Sequence, residues 1–211
     1  MNYVKFGDYD SFEDFGLILT EFSIGFPSAK RYTVDIPGRD GALDVTSALY
    51  DEPVYENRTH KATFRARRGR QYRADALSDL MAKVHGRTLN VVVYNDTDWY
   101  WRAHCEVSEL SLNRVSGDIT INIDAEPYKH AVSETVYEIT GSQTVTLTNG
   151  RMTVIPTVTV TDETTITIDD SSVSLSEGTY EMTDFPLYEG DTTWEIETDG
   201  TVTITYRQGR L

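Results

Sequence analysis

The sequence predicts a mainly β protein with two domains, and three observations carry this prediction. Apolar and polar residues alternate in short segments separated by glycine-containing turns, a pattern typical of antiparallel strands. A single segment, Tyr72 to His85, has the periodicity of a helix. Three basic and 14 acidic residues follow residue 130, whereas 16 basic and 20 acidic residues precede it. We therefore expect an α+β N-terminal domain over residues 1–130, with one helix and a β-hairpin, and a C-terminal β-sandwich over residues 131–211.

The composition argues against several classes of protein. The chain has 211 residues and a formal net charge of −15, so its surface does not attract the phosphates of nucleic acids or anionic membranes. Its one cysteine, Cys105, excludes an intrachain disulfide, and we expect it to be a small buried residue on a strand. Neither a run of 18 apolar residues nor a signal-peptide pattern occurs, so we expect the protein to be made and assembled in the cytosol.

The stretch from Arg31 to Asp44 predicts a hairpin with one apolar face. The apolar residues at alternating positions are Tyr32, Val34 and Ile36. Pro37-Gly38 suits the centre of a type II turn, and Asp40-Gly41 suits a tight turn in which both central residues have positive φ. These turns leave Arg39 and Asp40 at an exposed tip. Such a tip is either an ordinary exposed turn that carries charged side chains or a contact surface.

A basic run follows the next predicted strand, Thr59 to Ala66. It holds the only concentrated positive charge of the sequence, which comes from Arg65, Arg67, Arg68 and Arg70. One interpretation is a solvated loop that leads into the helix. The other is an interface that meets acidic residues of a neighbouring copy, because the acidic remainder of the surface would repel nucleic acid.

The predicted helix has one apolar stripe at positions i, i+3, i+4 and i+7. The stripe consists of Leu77, Leu80, Met81 and Val84. Gly86 follows it as a C-terminal stop. A stripe of this width is expected to cover one face of a sheet.

The C-terminal part has the composition of strands. Threonine accounts for 20 of its 81 residues, and it alternates with valine, isoleucine and leucine. Turn dipeptides such as Asn149-Gly150 and Asp199-Gly200 separate the alternating segments. Short strands at this spacing, without a helix between them, indicate a β-sandwich.

Four segments together resemble the distal tail proteins of long-tailed siphophages. The first is Val34 to Asp44, with the sequence Val-Asp-Ile-Pro-Gly-Arg-Asp-Gly-Ala-Leu-Asp. Tyr55-Glu-Asn-Arg58 and Phe64 follow it, Phe15-Gly16-Leu17 precedes it, and Gly200 to Leu211 ends the chain in the same pattern. Each motif is loose by itself, and their order and spacing carry the resemblance over nearly the whole chain.

The resemblance implies a structural protein of the virion that is assembled in the host cytoplasm and located at the tail tip. Six copies of the N-terminal domain, a β-sandwich with one helix, would form a ring at the end of the tail tube, through which DNA passes without specific binding. The C-terminal domain would be a galectin-like sandwich that projects outward. The implied partners are other copies of the chain, the tail tube protein, a tail-tip protein and a receptor-binding protein. No sequence feature sets the number six.

The sequence contains no recognisable catalytic, metal or cofactor motif. Its four histidines are scattered, and Asp96 and Asp98 have the first spacings of a calcium loop but lack its glycine and its closing glutamate. We therefore expect neither an enzyme nor a cofactor. The alternative function is a carbohydrate-binding module, in which aromatic residues near loops, such as Tyr188 and Trp194, would stack on sugar rings. Packing in the core competes with that interpretation.

Overall fold

The computed structural model describes residues 2–49, 53–66, 74–112 and 117–211. The structure is mainly β, as predicted, and it divides into two compact units, Met1–Pro127 and Tyr128–Leu211. The composition predicts that residues 1–130 and 131–211 fold as independent domains. Their independent folding remains a prediction. Within the described residues, no helix is long and apolar enough to cross a membrane.

The first unit is built mostly from antiparallel strands. Its described elements are β1 (Val4–Phe6), β2 (Tyr9–Asp10), β3 (Leu17–Ser23), β4 (Thr33–Val34), β5 (Leu43–Asp44), α1 (Thr46–Leu49), β6 (Arg58–Ala66), α2 (Ala74–Lys83), β7 (Arg87–Val93), β8 (Trp99–Leu112) and β9 (Gly117–Ala125). The sequence predicted β6, as Thr59 to Ala66, and α2. The four-residue helix α1 was not predicted, because one turn is too short to show a helical period.

The expected N-terminal sandwich is instead one continuous sheet, with the strand order β2-β1-β7-β8-β9-β6-β3. Three strands separate β1 from β6, yet the rings of Phe6 and Phe64 lie 6.1 Å apart, so the sheet curls around its own core. At the far edge, the N–H of Leu19 on β3 donates to the carbonyl oxygen of Asn2, 3.3 Å away, next to β1. Register shifts in the pairs β3–β6 and β8–β9 mark irregularities of the kind that bend a sheet.

Helix α2 contributes part of its predicted stripe to this core. Leu80 is buried, as is Val84 just after the helix, but Met81 is exposed, which corrects the prediction at that position. Met81 lies about 100° around the helix axis from Leu80, at the edge of the stripe. Gly86 has a φ of 71° and its N–H donates to the carbonyl oxygen of Cys105 at 2.8 Å, so the chain turns directly from the helix towards β8. The predicted start of the helix, at Tyr72, lies outside the described residues.

The second unit contains two four-stranded antiparallel sheets. Its strands are β10 (Lys129–Ala131), β11 (Thr135–Thr140), β12 (Gln143–Asn149), β13 (Thr157–Val160), β14 (Thr164–Ile168), β15 (Ser171–Leu175), β16 (Gly178–Glu181), β17 (Gly190–Thr198), β18 (Thr201–Tyr206) and β19 (Gly209–Arg210). The sheet orders are β11-β18-β13-β16 and β12-β17-β14-β15. Alternate residues of both sheets share one core, among them Trp194 on β17 and Ile204 on β18, so the predicted sandwich is present.

Candidate oligomer interface

The most exposed segment of the first unit is residues 24–49, which we call the arm. It contains the β4–β5 hairpin, in which Val34 pairs with Leu43 and Thr33 with Asp44. Every residue from 31 to 44 is exposed. The sequence predicts an apolar face here, as in a half-buried strand, but Tyr32, Val34 and Ile36 keep 40% to 49% of their surface exposed in the single chain.

The arm begins where the backbone lies flat against β6. The N–H of Gly25 donates to Nδ1 of His60 at 3.1 Å, and a Cβ atom at position 25 would overlap the carbonyl oxygen of Thr59. A side chain at Gly25 would therefore force the arm away from the sheet. Glycine is required here by the close approach rather than by a positive φ.

Further backbone hydrogen bonds join the two ends of the arm to each other and to the segment before β6. Lys30 N–H donates to the carbonyl oxygen of Val54 at 2.8 Å, and Glu56 N–H donates to that of Ser28 at 2.9 Å. Val45 N–H donates to the carbonyl oxygen of Tyr32 at 2.9 Å. The arm is thus an anchored hairpin with defined geometry.

The polar side of the arm is closed by its own ion pair. Nη2 of Arg31 lies 2.8 Å from Oδ2 of Asp44, and Thr46 N–H donates to Oδ1 of the same carboxylate at 3.0 Å. The hydrogen bonds from Thr46, followed by the pairing with Arg31, hold the pKa of Asp44 well below its usual range. Both partners are exposed, so the pair sets local geometry more than it adds stability.

The tip of the hairpin agrees with one of the two predicted turns. Gly38 has a φ of 84°, and Arg39 N–H donates to the carbonyl oxygen of Ile36 at 3.1 Å, as the Pro37-Gly38 turn requires. The second turn is wrong, because Gly41 has a positive φ but Asp40 does not. Eight residues separate β4 from β5, so the tip is a wide loop and needs no two-residue turn. Arg39 and Asp40 are exposed there, and their role in an interface remains a prediction.

The basic run is partly neutralised within the chain. Arg65 Nε lies 2.8 Å from Oδ1 of Asp118, its partner in the β6–β9 register. Hydrogen bonding to Asp118 raises the pKa of Arg65 and lowers that of Asp118. The charge of Arg65 is therefore already balanced by Asp118 when a neighbouring molecule approaches. Arg67 and Arg68 lie outside the described residues.

A buried aromatic and basic cluster lies behind the start of the arm. It consists of Phe22, Arg58, His60 and Trp101. The His60 ring lies 4.7 Å from that of Trp101 and 5.8 Å from that of Phe22, and the Arg58 guanidinium lies 5.5 Å from the Trp101 ring centre. Burial, with a smaller effect from the charge of Arg58, lowers the pKa of His60 to about 4. This cluster was not predicted from the sequence, although the period-two spacing of Arg58, His60, Ala62 and Phe64 places all four on one face of β6.

Only one of the two residues of the alternative sugar site is accessible to a sugar. Trp194 is fully buried in the core of the second unit, so it cannot stack on a sugar ring, whereas Tyr188 is exposed. Cys105 is buried as predicted, and burial raises the pKa of its thiol to about 12. Among the described residues, no group of three or more His, Cys, Asp or Glu side chains is arranged to hold a metal ion.

The fold of the whole chain is similar to that of a phage protein. Neither a protein-family model nor a curated protein matches the sequence. Among solved structures, the crystal structure of the SPP1 Dit protein matches with a TM-score of 0.73 and 12% identity, over all of both chains. That protein is described as a paradigm of the hub adsorption apparatus in phages that infect Gram-positive bacteria. At 12% identity, this match shows that the two proteins share a fold. It includes both units.

Proposed function

We propose that this chain is a structural protein of a long, non-contractile phage tail, located at the distal end of the tail tube. The observation that carries this proposal is the match to SPP1 Dit over the full length of both chains. It agrees with the resemblance of four sequence segments to distal tail proteins, an independent line of inference. We assign the chain a structural role and no catalytic one.

In this proposal, about six copies of the first unit form a closed ring, which joins the tail tube protein to a tail-tip protein and a receptor-binding protein. A ring is built from heterologous contacts, so each copy gives one surface and receives another. The arm, with Arg39 and Asp40 at its tip, and the basic run with Arg65, Arg67 and Arg68 are the surfaces that we assign to these contacts. The second unit, a galectin-like sandwich in this proposal, projects towards the tail-tip proteins.

The charge of the chain supports this role. A net charge of −15 gives DNA phosphates nothing to bind, so a ring made of this protein would let the genome pass without retaining it. The same charge makes copies repel one another over most of their surface. Assembly therefore depends on the few surfaces that are neutral or basic.

The experiment is to measure the mass and shape of the purified protein by light scattering and negative-stain microscopy. Six copies of 23.9 kDa give about 143 kDa, and we expect a ring with a central hole. A compact dimer, or an open filament without closure, would contradict the proposed ring. A protein that is monomeric in solution would move the test to intact virions, because tail rings can close on the tube itself.

A further inference from the structure

We propose that Arg58 and His60 form a buried site for a small carboxylate anion, of the size of formate or acetate. The proposal starts from hydrogen-bond donors that are buried without an acceptor. Arg58 is 4% exposed and His60 is fully buried. Within the described part of the chain, Nε and Nη2 of Arg58 and Nε2 of His60 have no hydrogen-bond partner. The site lies in the core of the first unit, so the proposal is independent of the proposed function.

The two side chains together present three donors. The Gly25 N–H donates to Nδ1 of His60 at 3.1 Å, so Nδ1 is an acceptor. The neutral imidazole then carries its proton on Nε2, which makes Nε2 a donor. Nε and Nη2 of Arg58 are always donors. Buried donors without an acceptor are rare in folded proteins, and three of them in two neighbouring side chains indicate an acceptor from outside the chain.

The three donors lie in one region of the core. Arg58 and His60 are two residues apart on the same face of β6, so their backbones are separated by about 7 Å. Both side chains pack on Trp101: the ring centres of His60 and Trp101 are 4.7 Å apart, and Cζ of Arg58 lies 5.5 Å from the Trp101 ring centre. One small ligand beside Trp101 can therefore reach both donor groups.

The charge of Arg58 indicates that the acceptor is an anion. Burial lowers the pKa of Arg58, but a guanidinium keeps its proton at neutral pH. A buried charge without a partner is strongly unfavourable. A buried water molecule would satisfy two donors at most and would leave this charge unbalanced. An anion satisfies the donors and balances the charge as well.

Two other arginines of the chain show which kind of anion fits. Arg31 and Arg65 each direct Nε and Nη2 to a carboxylate, at 2.8 to 3.3 Å. The same edge of Arg58 has no acceptor among the described residues. The two oxygens of a carboxylate match this edge of a guanidinium, and their remaining lone pairs can accept from Nε2 of His60.

The side chains and backbone around the site limit the size of the ligand. The Phe22 ring lies 5.8 Å from the His60 ring and 6.2 Å from the Trp101 ring, and the backbone at Gly25 lies flat against β6. The three donor atoms are inaccessible to solvent, so a ligand enters through a local opening of the structure. An anion of a few atoms needs only a small opening, whereas a side chain of another protein would have to displace the start of the arm.

The first test measures stability in two buffers of equal ionic strength. One contains formate at about 100 mM, and the other contains a bulky sulfonate that is too large for the site. Urea unfolding gives the ratio of folded to unfolded chain for the first unit in each buffer. We expect formate to raise this ratio of the wild type about tenfold or more, which corresponds to a Kd of about 10 mM or lower.

Two matched variants separate binding from a general effect of the buffer. Arg58→Met removes the buried charge and keeps a long, unbranched side chain, so it should fold. Arg65→Met removes an exposed arginine whose carboxylate partner is within the chain. We expect the formate response to be lost in Arg58→Met and retained in Arg65→Met. Equal responses of the wild type and Arg58→Met would overturn the proposal, and a response to chloride equal to that to formate would overturn the assignment to a carboxylate.

The second test locates the ligand in the wild-type chain, so it decides the proposal even if Arg58→Met fails to fold. We expect a nuclear Overhauser effect between the formate proton and the Nε proton of Arg58. A bound carboxylate favours the charged imidazole. The pKa of His60, which burial and the charge of Arg58 lower to about 4, should therefore rise when formate replaces the sulfonate. Absence of either effect would overturn the proposal and leave the proposed function untouched.

Discussion

Acidification should destabilise the first unit through His60, which lies behind the start of the arm. Its ring is fully buried between Phe22 and Trp101, with the Arg58 guanidinium nearby, and its Nδ1 accepts the Gly25 N–H. This environment favours the neutral ring, and the pKa of His60 is lowered from 6.5 to about 4. Between these values the unfolded chain binds a proton that the folded chain excludes, so stability is lost as the pH falls from 6.5 to 4.

The expected loss follows from the size of that shift. One pKa unit corresponds to about 1.4 kcal/mol, so His60 accounts for a loss of about 3 kcal/mol across this window. The paired carboxylates Asp44 and Asp118 have lowered pKa values, so their contribution is lost at lower pH than that of His60. The two effects are therefore separable by pH.

The assay is urea unfolding at a series of pH values, with a matched variant. His60→Asn retains an acceptor near the position of Nδ1 for the Gly25 N–H but cannot titrate. We expect wild type to lose about 3 kcal/mol more than His60→Asn between pH 6.5 and 4. Equal losses in the two proteins, or an NMR titration of folded His60 near pH 6.5, would refute the reasoning.

Three further predictions concern the cores and the division of the chain. Leu80→Asp buries an unpaired charge and should destabilise the protein by about 3 kcal/mol or more, whereas Met81→Asp at the exposed neighbouring position should change stability by less than about 1 kcal/mol; denaturant unfolding distinguishes them. Trp194→Ala should cost about 3–5 kcal/mol in the unfolding of the second unit, and calorimetric titration should detect no sugar affinity that depends on this residue. Limited proteolysis near Pro127 should leave two folded fragments, and fragments that both lose their near-ultraviolet circular dichroism would contradict separable folding.

The alternation in the arm shows both the strength and the limit of the sequence pattern. Tyr32, Val34 and Ile36 alternate with polar residues, and this correctly predicts a two-faced hairpin. The pattern indicates that one face is apolar and favours burial. It does not indicate whether the same chain or another one buries that face. In the structure, Tyr32, Val34 and Ile36 are 40% to 49% exposed, so the single chain covers this face only in part.

Pairing between residues far apart in the sequence explains the other differences between the sequence-based predictions and the structure. Arg65 and Asp118 are far apart in sequence, and only the β6–β9 register brings them into contact. The curl of the first sheet likewise depends on contacts between β1 and β6, which no local period encodes. Trp194, in contrast, lies at an apolar position of an alternating strand, so its burial was accessible from the pattern.

The location of the chain in virions tests the central claim most directly. If the proposed function holds, the chain is part of a phage particle, and such particles would be labelled with gold-coupled antibodies and examined by negative-stain microscopy. The account predicts label at the distal end of the tail and none on the capsid or along the tail shaft. Particles that lack the protein, or that carry it along the shaft or on the capsid, would contradict the account.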